Sequence, residues 1–547
     1  MKFTATQIPY SDTGLFTTLI QDFIAGKAAA LKYVQYPVSK EGVHAAIQER
    51  KKFPIQRSVL VNVLQSQYHD LINSKDNTNI TANVKVSEAI QSLLKENTFA
   101  ITTAHQPNIF TGPLYFFYKI IHAIQLAADL KKQFPENNFV PVYYMGSEDA
   151  DLDEVGSYFL GGTQHQWITK QKGAIGRMKV DDALLGLLQN LEGYWLVQPE
   201  GAETFNILKK AYQKGNTISE ATLYMVHQFF GKYGLVVLQP DQPQLKQLFL
   251  PVMEQELLHQ FSHAAIQPTL SLLAKEYHVQ SEGRLLNLFY LKEDLRSRIE
   301  KNEEEYTIVD TSIRFTATQI IDELKNYPER FSPNVILRGV YQETILPSIV
   351  FIGGGGELAY WMELKNVFSQ TKVHYPILQL RNSFVCIKEK QMTQWEALGF
   401  ELKDLFKPIL QLENEYIQRV SEENLTLSTH LANMNSLYQQ IQLDVIKIDA
   451  SLGDHTLNLS VQAQKKLATL EKKMLKAEKR KQHTALQRIH AIKNDLFPQN
   501  SLQERVENIA EWIGAYGWGW VDAIMTHSNT LAQNFTVLSA TQNDKAK

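Results

Sequence analysis

The stretch from Phe99 to Gly146 constrains the chain more than any other, because it places an apolar strand, a helix and a second apolar strand in series. The strand "FAITT" (99–103) alternates too little for an exposed strand and predicts a buried one. After Gly112-Pro113, the apolar residues Leu114, Phe117, Ile120, Ile121, Ile124 and Ala128 recur at the spacing of a helix with one buried stripe. Pro113 suits a first helical turn, where its missing N–H is no loss. "NFVPVYYMG" then follows the turn at Pro135. A helical crossover between two apolar strands implies a parallel βαβ unit. "GLVVLQPD" from Gly234 and the helical "QLKQLFLPVMEQELL" repeat the signature, so the expected class is α/β with a doubly wound sheet.

Around that core the chain reads as four zones. Residues 1–97 are expected to be a helical region, with "LFTTLIQDFIAGKAAALKYV" and "SVLVNVLQSQYHDLI" as amphipathic segments and the polar stretch 73–83 as a loop. Residues 98–386 form the sheet core, its strands continuing through 331–386, with 167–216 and 280–331 as insertions. Residues 387–498 are a helical arm, and 499–547 a C-terminal helical segment packing back on the core.

In the arm, Leu427, Leu431, Met434, Tyr438, Ile441, Val445 and Ile448 alternate spacings of four and three, a heptad seam. "SLGDHT" (451–456) is expected to break the helix through Gly453 and Asp454. A second helix carries Leu467, Leu470, Met474 and Ala477, slips, resumes at Leu486, Ile489 and Ile492, and stops at Pro498. Two long helices joined by a short turn make an antiparallel arm whose narrow seams suit dimerisation. The basic run "KKMLKAEKRK" (472–481) reads either as a nucleic-acid contact or as a solvated face. Interspersed Glu471 and Glu478 favour the face.

Composition narrows the function classes. A net charge of −3 gives no general reason to expect nucleic acid. The single cysteine, Cys386, rules out an intramolecular disulfide framework and fits a reducing compartment. Residues 1–9 lack the apolar core of a signal peptide and no apolar run is long enough to span a bilayer, so a cytoplasmic location is expected.

Three clusters carry chemistry. The first, "HQPNIFTG", lies on a turn between a strand end and a helix start, the usual place for a ligand in an open α/β sheet. The second, "MGSEDADLDEVG", puts Glu148, Asp149, Asp151, Asp153 and Glu154 after the next strand. As a calcium loop it fails, with Glu154 where Gly is needed and Leu160 where Glu is needed. Magnesium ligation, amine binding, sugar binding and a plain surface turn all stay open. In the third, Gly353 to Gly356 separate a strand from a helix and could cradle an anion or simply turn the chain. Arg338 lies just upstream and could bind an anion in bidentate fashion. There is no CxxC, HExxH or GxSxG motif and no His pair at metal-ligand spacing, so no metal site is expected. Cys386 within "SFVCI" reads as a packed strand residue, and His122 as a helix residue satisfied in place.

Taken together and in this order, "HQPNIFTGPLYFFYKI", "EDADLDE", "GGGGELAYWMELK" and "LFPQNSLQERVEN" resemble the cysteine-adding enzymes of bacillithiol biosynthesis, over essentially the whole chain. The resemblance implies a ligase that adds L-cysteine to glucosaminyl-malate, the last step in making bacillithiol. It implies a Rossmann-like parallel sheet core similar to class I synthetases and nucleotidyltransferases, helical insertions, and a coiled-coil arm that makes a homodimer. On that resemblance His105, Asp149 and Asp151 are the expected catalytic residues. Gln106, Asn108, Thr111, Glu148, Arg338, Gly354, Gly355, Glu357, Tyr360 and Trp361 are expected to bind substrate or nucleotide, and Arg505 and Asn508 a second nucleotide. His105 would stabilise charge on phosphates, and ATP or ADP with Mg²⁺ is the expected cofactor. The chain departs from the family pattern at Ala104, where Gly is common, and at Ala150, where His often stands. It has no KMSKS-like lysine loop. Two alternatives stand beside this one: another synthetase-like enzyme acting on a different acceptor, and a dimeric scaffold without activity.

Overall fold

The computed structural model describes residues 2–73, 79–303 and 305–541. The chain divides into two compact units, Met1–Cys386 with Ser501–Lys547, and Ile387–Asn500.

The first unit holds the strands Lys2–Pro9 (β1), Thr98–His105 (β2), Asn138–Met145 (β3), Val236–Leu238 (β4), Ser348–Gly353 (β5), Ile377–Leu380 (β6), Phe384–Ile387 (β7) and Asn534–Thr541 (β8). Strands β2 to β6 form a parallel sheet in the order β6-β5-β2-β3-β4. Every residue of β2 is buried, which is why its sequence does not alternate: both faces are covered. From β2 the chain steps outward to β3 and β4, then returns past β2 to β5 and β6. The order therefore reverses between β2 and β5, and such a switch point opens a crevice at the carboxyl ends of the strands.

Two helices start at that edge, Leu114–Gln133 (α1) after β2 and Gly355–Glu363 (α2) after β5. The expected single stripe on α1 is too narrow. Phe116, Tyr118, Lys119, His122, Ala123, Leu126 and Ala127 are buried as well, while Ala128 is exposed. The reason is tertiary: the C-terminal helices Gln503–Val506 and Trp518–Thr526 pack against α1, which the sheet already covers. His122 is satisfied as expected, accepting from Asn382 N–H at Nδ1 (3.2 Å) and facing the Thr530 carbonyl at Nε2 (3.0 Å).

Three expectations change. The N-terminal zone is not purely helical and the C-terminal zone does not end in helix, because β1 pairs antiparallel with β8 from Lys2↔Thr541 to Pro9↔Asn534. Neither strand has a partner near it in sequence, so no local pattern announces the pairing. The second insertion is mostly sheet: strands from Leu288 to Pro333 make an antiparallel five-stranded layer. In the N-terminal zone, 74–78 of the expected loop lie outside the described residues, and its end is already helical, since Ile80–Ser92 is a helix capped by Asn79.

The second unit contains Ser428–Ile446 (α3), Ser451–Lys481 (α4) and His483–Leu496 (α5). The break between α3 and α4 precedes "SLGDHT". Asp449 accepts from the N–H and hydroxyl of Ser451, both at 2.8 Å, and starts α4 there. Gly453 sits inside α4, where a Cβ would come within 2.9 Å of Ile446, so its role is close approach rather than breakage. The slip in the second seam coincides with the break at Gln482. The basic run is largely paired or solvated: Lys479 meets Glu413 at 2.6 Å and Lys481 meets Glu478 at 2.7 Å, while Lys472, Lys473 and Lys476 are exposed.

Four buried histidines predict how stability responds to acid. Burial pushes His105 and His374 from 6.5 to about 3, and His122 and His227 to about 4. Each is neutral when folded, so its contribution is complete above pH 6.5 and is lost as pH falls toward 4, where the unfolded chain binds the proton and the fold does not. Two buried carboxyls, Glu343 and Glu363, pushed up by burial to about 7, act oppositely between 4.5 and 7. Urea denaturation should show stability falling from pH 6 to 5, by about 1.4 kcal/mol per pH unit for each net proton that the unfolded chain binds in excess. A constant stability over that interval would mean these histidines are not held neutral.

Candidate functional site

A cavity of about 450 Å³ lies at the switch point, within the range of small-ligand sites. The ends of β2 and β3, the start of α2 and residues 332–338 form its walls. Of the expected residues it gathers His105, Gln106, Glu148, Asp149, Arg338, Gly354, Gly355, Glu357, Tyr360 and Arg505.

His105 is held rather than free. Its Nδ1 lies 3.1 Å from the Gln106 carbonyl, which can only accept, so Nδ1 carries the proton. Nε2 then accepts from the Tyr115 hydroxyl at 2.8 Å, and the two rings stack at 5.1 Å. Burial, reinforced by the Lys119 ammonium, pushes His105 down to about 3. A neutral imidazole with both nitrogens engaged does not supply positive charge to a phosphate. It orients Tyr115, a residue the sequence reading missed.

The acidic run does not converge as expected. Glu148 is buried and paired with Lys246, whose ammonium also donates to the Phe331 carbonyl at 2.8 Å. Burial raises the Glu148 carboxyl against the pull of that lysine. Asp149 accepts from Gln106 Nε2 (3.1 Å) and Ala150 N–H (2.8 Å), with Arg296 at 3.6 Å. Asp151 faces away, capping the short helix Leu152–Val155 by accepting from Glu154 N–H at 3.1 Å. One turn later Glu154 enters the cleft instead, 3.3 Å from Gln106 Nε2. Its carboxyl is raised by burial and then by Asp151 and Asp149. Among the described residues no group of three or more His, Cys, Asp and Glu side chains could hold a metal ion.

The opposite end is cationic. Lys119 pairs with Glu357 and donates to the Ala104 carbonyl at 2.9 Å. Burial works to raise Glu357, but Lys119 and the Gly354 N–H overcome it and hold the carboxyl low. Arg381 reaches Glu504 at 2.7 Å. Arg338 donates to the Tyr360 hydroxyl and, like the exposed Arg505, has no carboxylate partner among the described residues. Gly355 and Gly356 open α2, where the first N–H groups have no partner within the helix. This end suits an anion.

Four expected residues do structural work instead. Trp361 is a core residue, stacked on Phe351 at 4.2 Å. Asn108 and Thr111 are buried in the turn after β2. Phe110, Thr111 and Gly112 there all have positive φ (47°, 79° and 61°), a strained course for a β-branched residue. Asn508 holds it: the two N–H groups of Nδ2 are shared among the Phe110 carbonyl (3.0 Å), Thr111 Oγ1 (3.1 Å) and the Gly112 carbonyl (2.9 Å). The Leu114 N–H, expected to help bind an anion, donates to the Glu507 carbonyl at 2.9 Å. Asn508 is thus a clamp on this turn, and Arg505 lines the main cleft. Lys119, Arg296 and Arg381 escaped the sequence reading because each stands in an apolar or unremarkable local pattern.

Residues 1–382 match the family described as "Bacillithiol biosynthesis BshC, N-terminal Rossmann-like domain", and residues 384–540 match "Bacillithiol biosynthesis BshC, C-terminal coiled-coil domain". Relatives named "Putative cysteine ligase BshC" occur in Flavobacterium johnsoniae (36% identical, covering 97% of this chain and 99% of that one) and Christiangramia forsetii (37%, 97% and 98%). Another, from Cytophaga hutchinsonii, is 34% identical and covers 93% and 94%.

The two residues once grouped together should now separate. Asn508→Ala should lose about 2–4 kcal/mol in urea denaturation, since three buried acceptors lose their donor. Arg505→Ala, at an exposed position, should stay within about 0.5 kcal/mol. Equal losses in the two variants would contradict the clamp.

Proposed function

The chain belongs to the BshC family of bacillithiol biosynthesis, and from that premise we propose that it is a carbon–nitrogen ligase joining L-cysteine to glucosaminyl-malate. The observation that carries this reading is the two-ended cleft, with hydroxyl and carboxylate groups near Glu148 and unpaired cations near Gly355. A sugar amine linked to a dicarboxylate has matching halves. Arg338, Arg505 and the first N–H groups of α2 hold the dicarboxylate, and Glu154, its affinity for protons raised, accepts the proton released as the amine nitrogen bonds to the cysteine carboxyl carbon. His105 keeps Tyr115 in position beside the anionic group.

Amide formation from a free carboxylate needs a better leaving group than oxide, and ATP with Mg²⁺ supplies that activation when bound. Lys119 and Arg381, in the same cationic wall, would hold its phosphates, leaving Arg338, Arg505 and the start of α2 to the dicarboxylate. The turn after His105 does not suit them, because its N–H groups are spent within the protein: Phe110 N–H on Tyr212, Gly112 N–H on Ile109 and Leu114 N–H on Glu507.

Purified protein incubated with glucosaminyl-malate and cysteine, with and without ATP and Mg²⁺, should yield the amide, read by mass spectrometry. Arg338→Ala should lower kcat/KM about 100-fold, the loss of one charge-assisted contact. Product without ATP would remove the nucleotide from this reading, and no product in any mixture would overturn the reaction.

The proposed setting is the cytoplasm, and the proposed assembly is a homodimer through the arm. No helix among the described residues is long and apolar enough to cross a membrane. No residue of α3 is fully buried, and Leu443, Ile448 and Leu457 are 66%, 82% and 53% exposed. Leu443 and Leu457 lie outside the two seams, and apolar groups so exposed suit a second copy. Sedimentation should give a dimer for the native chain and a monomer for Leu443→Asp/Leu457→Asp, and a native monomer would refute the assembly.

A further inference from the structure

The cleft contains hydroxyl groups that none of the interactions above uses. Tyr144, near the end of β3, and Ser332, in the inserted antiparallel layer, are each 1% exposed, and neither hydroxyl has a hydrogen-bond partner. Both belong to the cleft wall. A buried hydroxyl left unpaired costs about 1–3 kcal/mol, so two facing one cavity call for a ligand that completes them. Beside them the Nε of Arg296 is also buried and unpaired. Its guanidinium lies 3.8 Å above the Phe289 ring, and Phe289 is the cross-strand partner of Ser332. Side chains of such a pair share a face of the sheet, so Arg296 and Ser332 lie on one side of the inserted layer.

Two of the carboxylates at this end are already matched. Glu148 is paired with Lys246, and Asp149 has Arg296 at 3.6 Å. Glu154 and Arg338 border the place without ion-pair partners among the described residues, Arg338 with its guanidinium 5.8 Å from the centre of the Tyr144 ring, so the hydroxyls lie between a carboxylate and a cation. A neutral group that both donates and accepts would satisfy hydroxyl against hydroxyl and give the Arg296 Nε–H an acceptor. Pro240, Pro333 and Val335 contribute apolar surface to the same wall, suited to the C–H face of a ring.

We propose that Tyr144, Ser332 and Arg296 form a subsite for a neutral polyhydroxylated ring, a hexose, adjoining the cationic end that takes the acid, with Tyr144 at the boundary beside Arg338. This rests on the ligase reading for the identity of the full substrate but not for the chemistry of the subsite. It assigns specificity for the sugar to an inserted layer and one core strand, away from the "HQPN" and glycine-rich turns.

The test is calorimetric titration of the full chain with three probes: methyl glucosaminide, L-malate and glucosaminyl-malate. Tyr144→Phe and Ser332→Ala each remove a single oxygen and preserve packing. Each should weaken methyl glucosaminide and glucosaminyl-malate about 5- to 10-fold while leaving L-malate within about twofold. Arg338→Ala should show the reverse preference, weakening L-malate most. Unchanged affinity of both variants for the sugar probes, or equal weakening of L-malate, would overturn the subsite, as would a native chain that does not bind methyl glucosaminide. If the native chain binds that probe in a Tyr144-dependent manner but forms no amide from glucosaminyl-malate and cysteine, the subsite stands and the ligase reading falls.

Discussion

One ammonium ties together the carboxyl edge of the sheet. Lys119 stands on α1, donates to the Ala104 carbonyl at the end of the first core strand, and pairs with Glu357 in the helix that follows the glycine run. Those three elements lie on both sides of the point where strand order reverses, so the pair sets the width of the crevice between them. Removing one member of such a buried pair typically costs about 3–5 kcal/mol, because the other charge stays behind without compensation. The site is therefore held open by an interaction that also disfavours its collapse.

The end of the chain completes what the middle begins. Glu504 holds Arg381 in the cleft wall, Asn508 holds the turn at Phe110 to Gly112 in a conformation it would not keep alone, and the last strand zips onto the first. The late motif around residues 503–508 thus acts mainly by placing other residues. Its separation from them, 123 positions for Arg381 and 398 for Phe110, makes the fold strongly non-local, with a correspondingly large entropic cost of closure.

The cleft divides its work by electrostatics. Glu148 and Asp149 each have a lysine or arginine nearby, and the groups left open at that end are Glu154 and neutral hydroxyls. Where arginines enter unpaired, a helix N-terminus adds to the same sign of potential. His105 contributes shape and a fixed hydrogen bond rather than charge, since burial keeps it neutral across the physiological range.

Much of this was legible in the residues. Mainly apolar runs at 99–103 and 348–352 marked buried strands, Gly353 to Gly356 marked a turn between strand and helix, and the spacing from Leu427 to Ile448 marked a helix of the arm. Each is a local pattern, because burial of one face repeats with the period of the element itself. What the residues alone did not decide was convergence. That Glu154 rather than Asp151 turns into the cleft, that Asn508 is a clamp and Arg505 a wall, and that Trp361 is core all depend on contacts closed over tens to hundreds of positions. Such contacts leave no periodic trace in a single chain, so element type was written in the sequence and the direction of each functional side chain only in the tertiary packing.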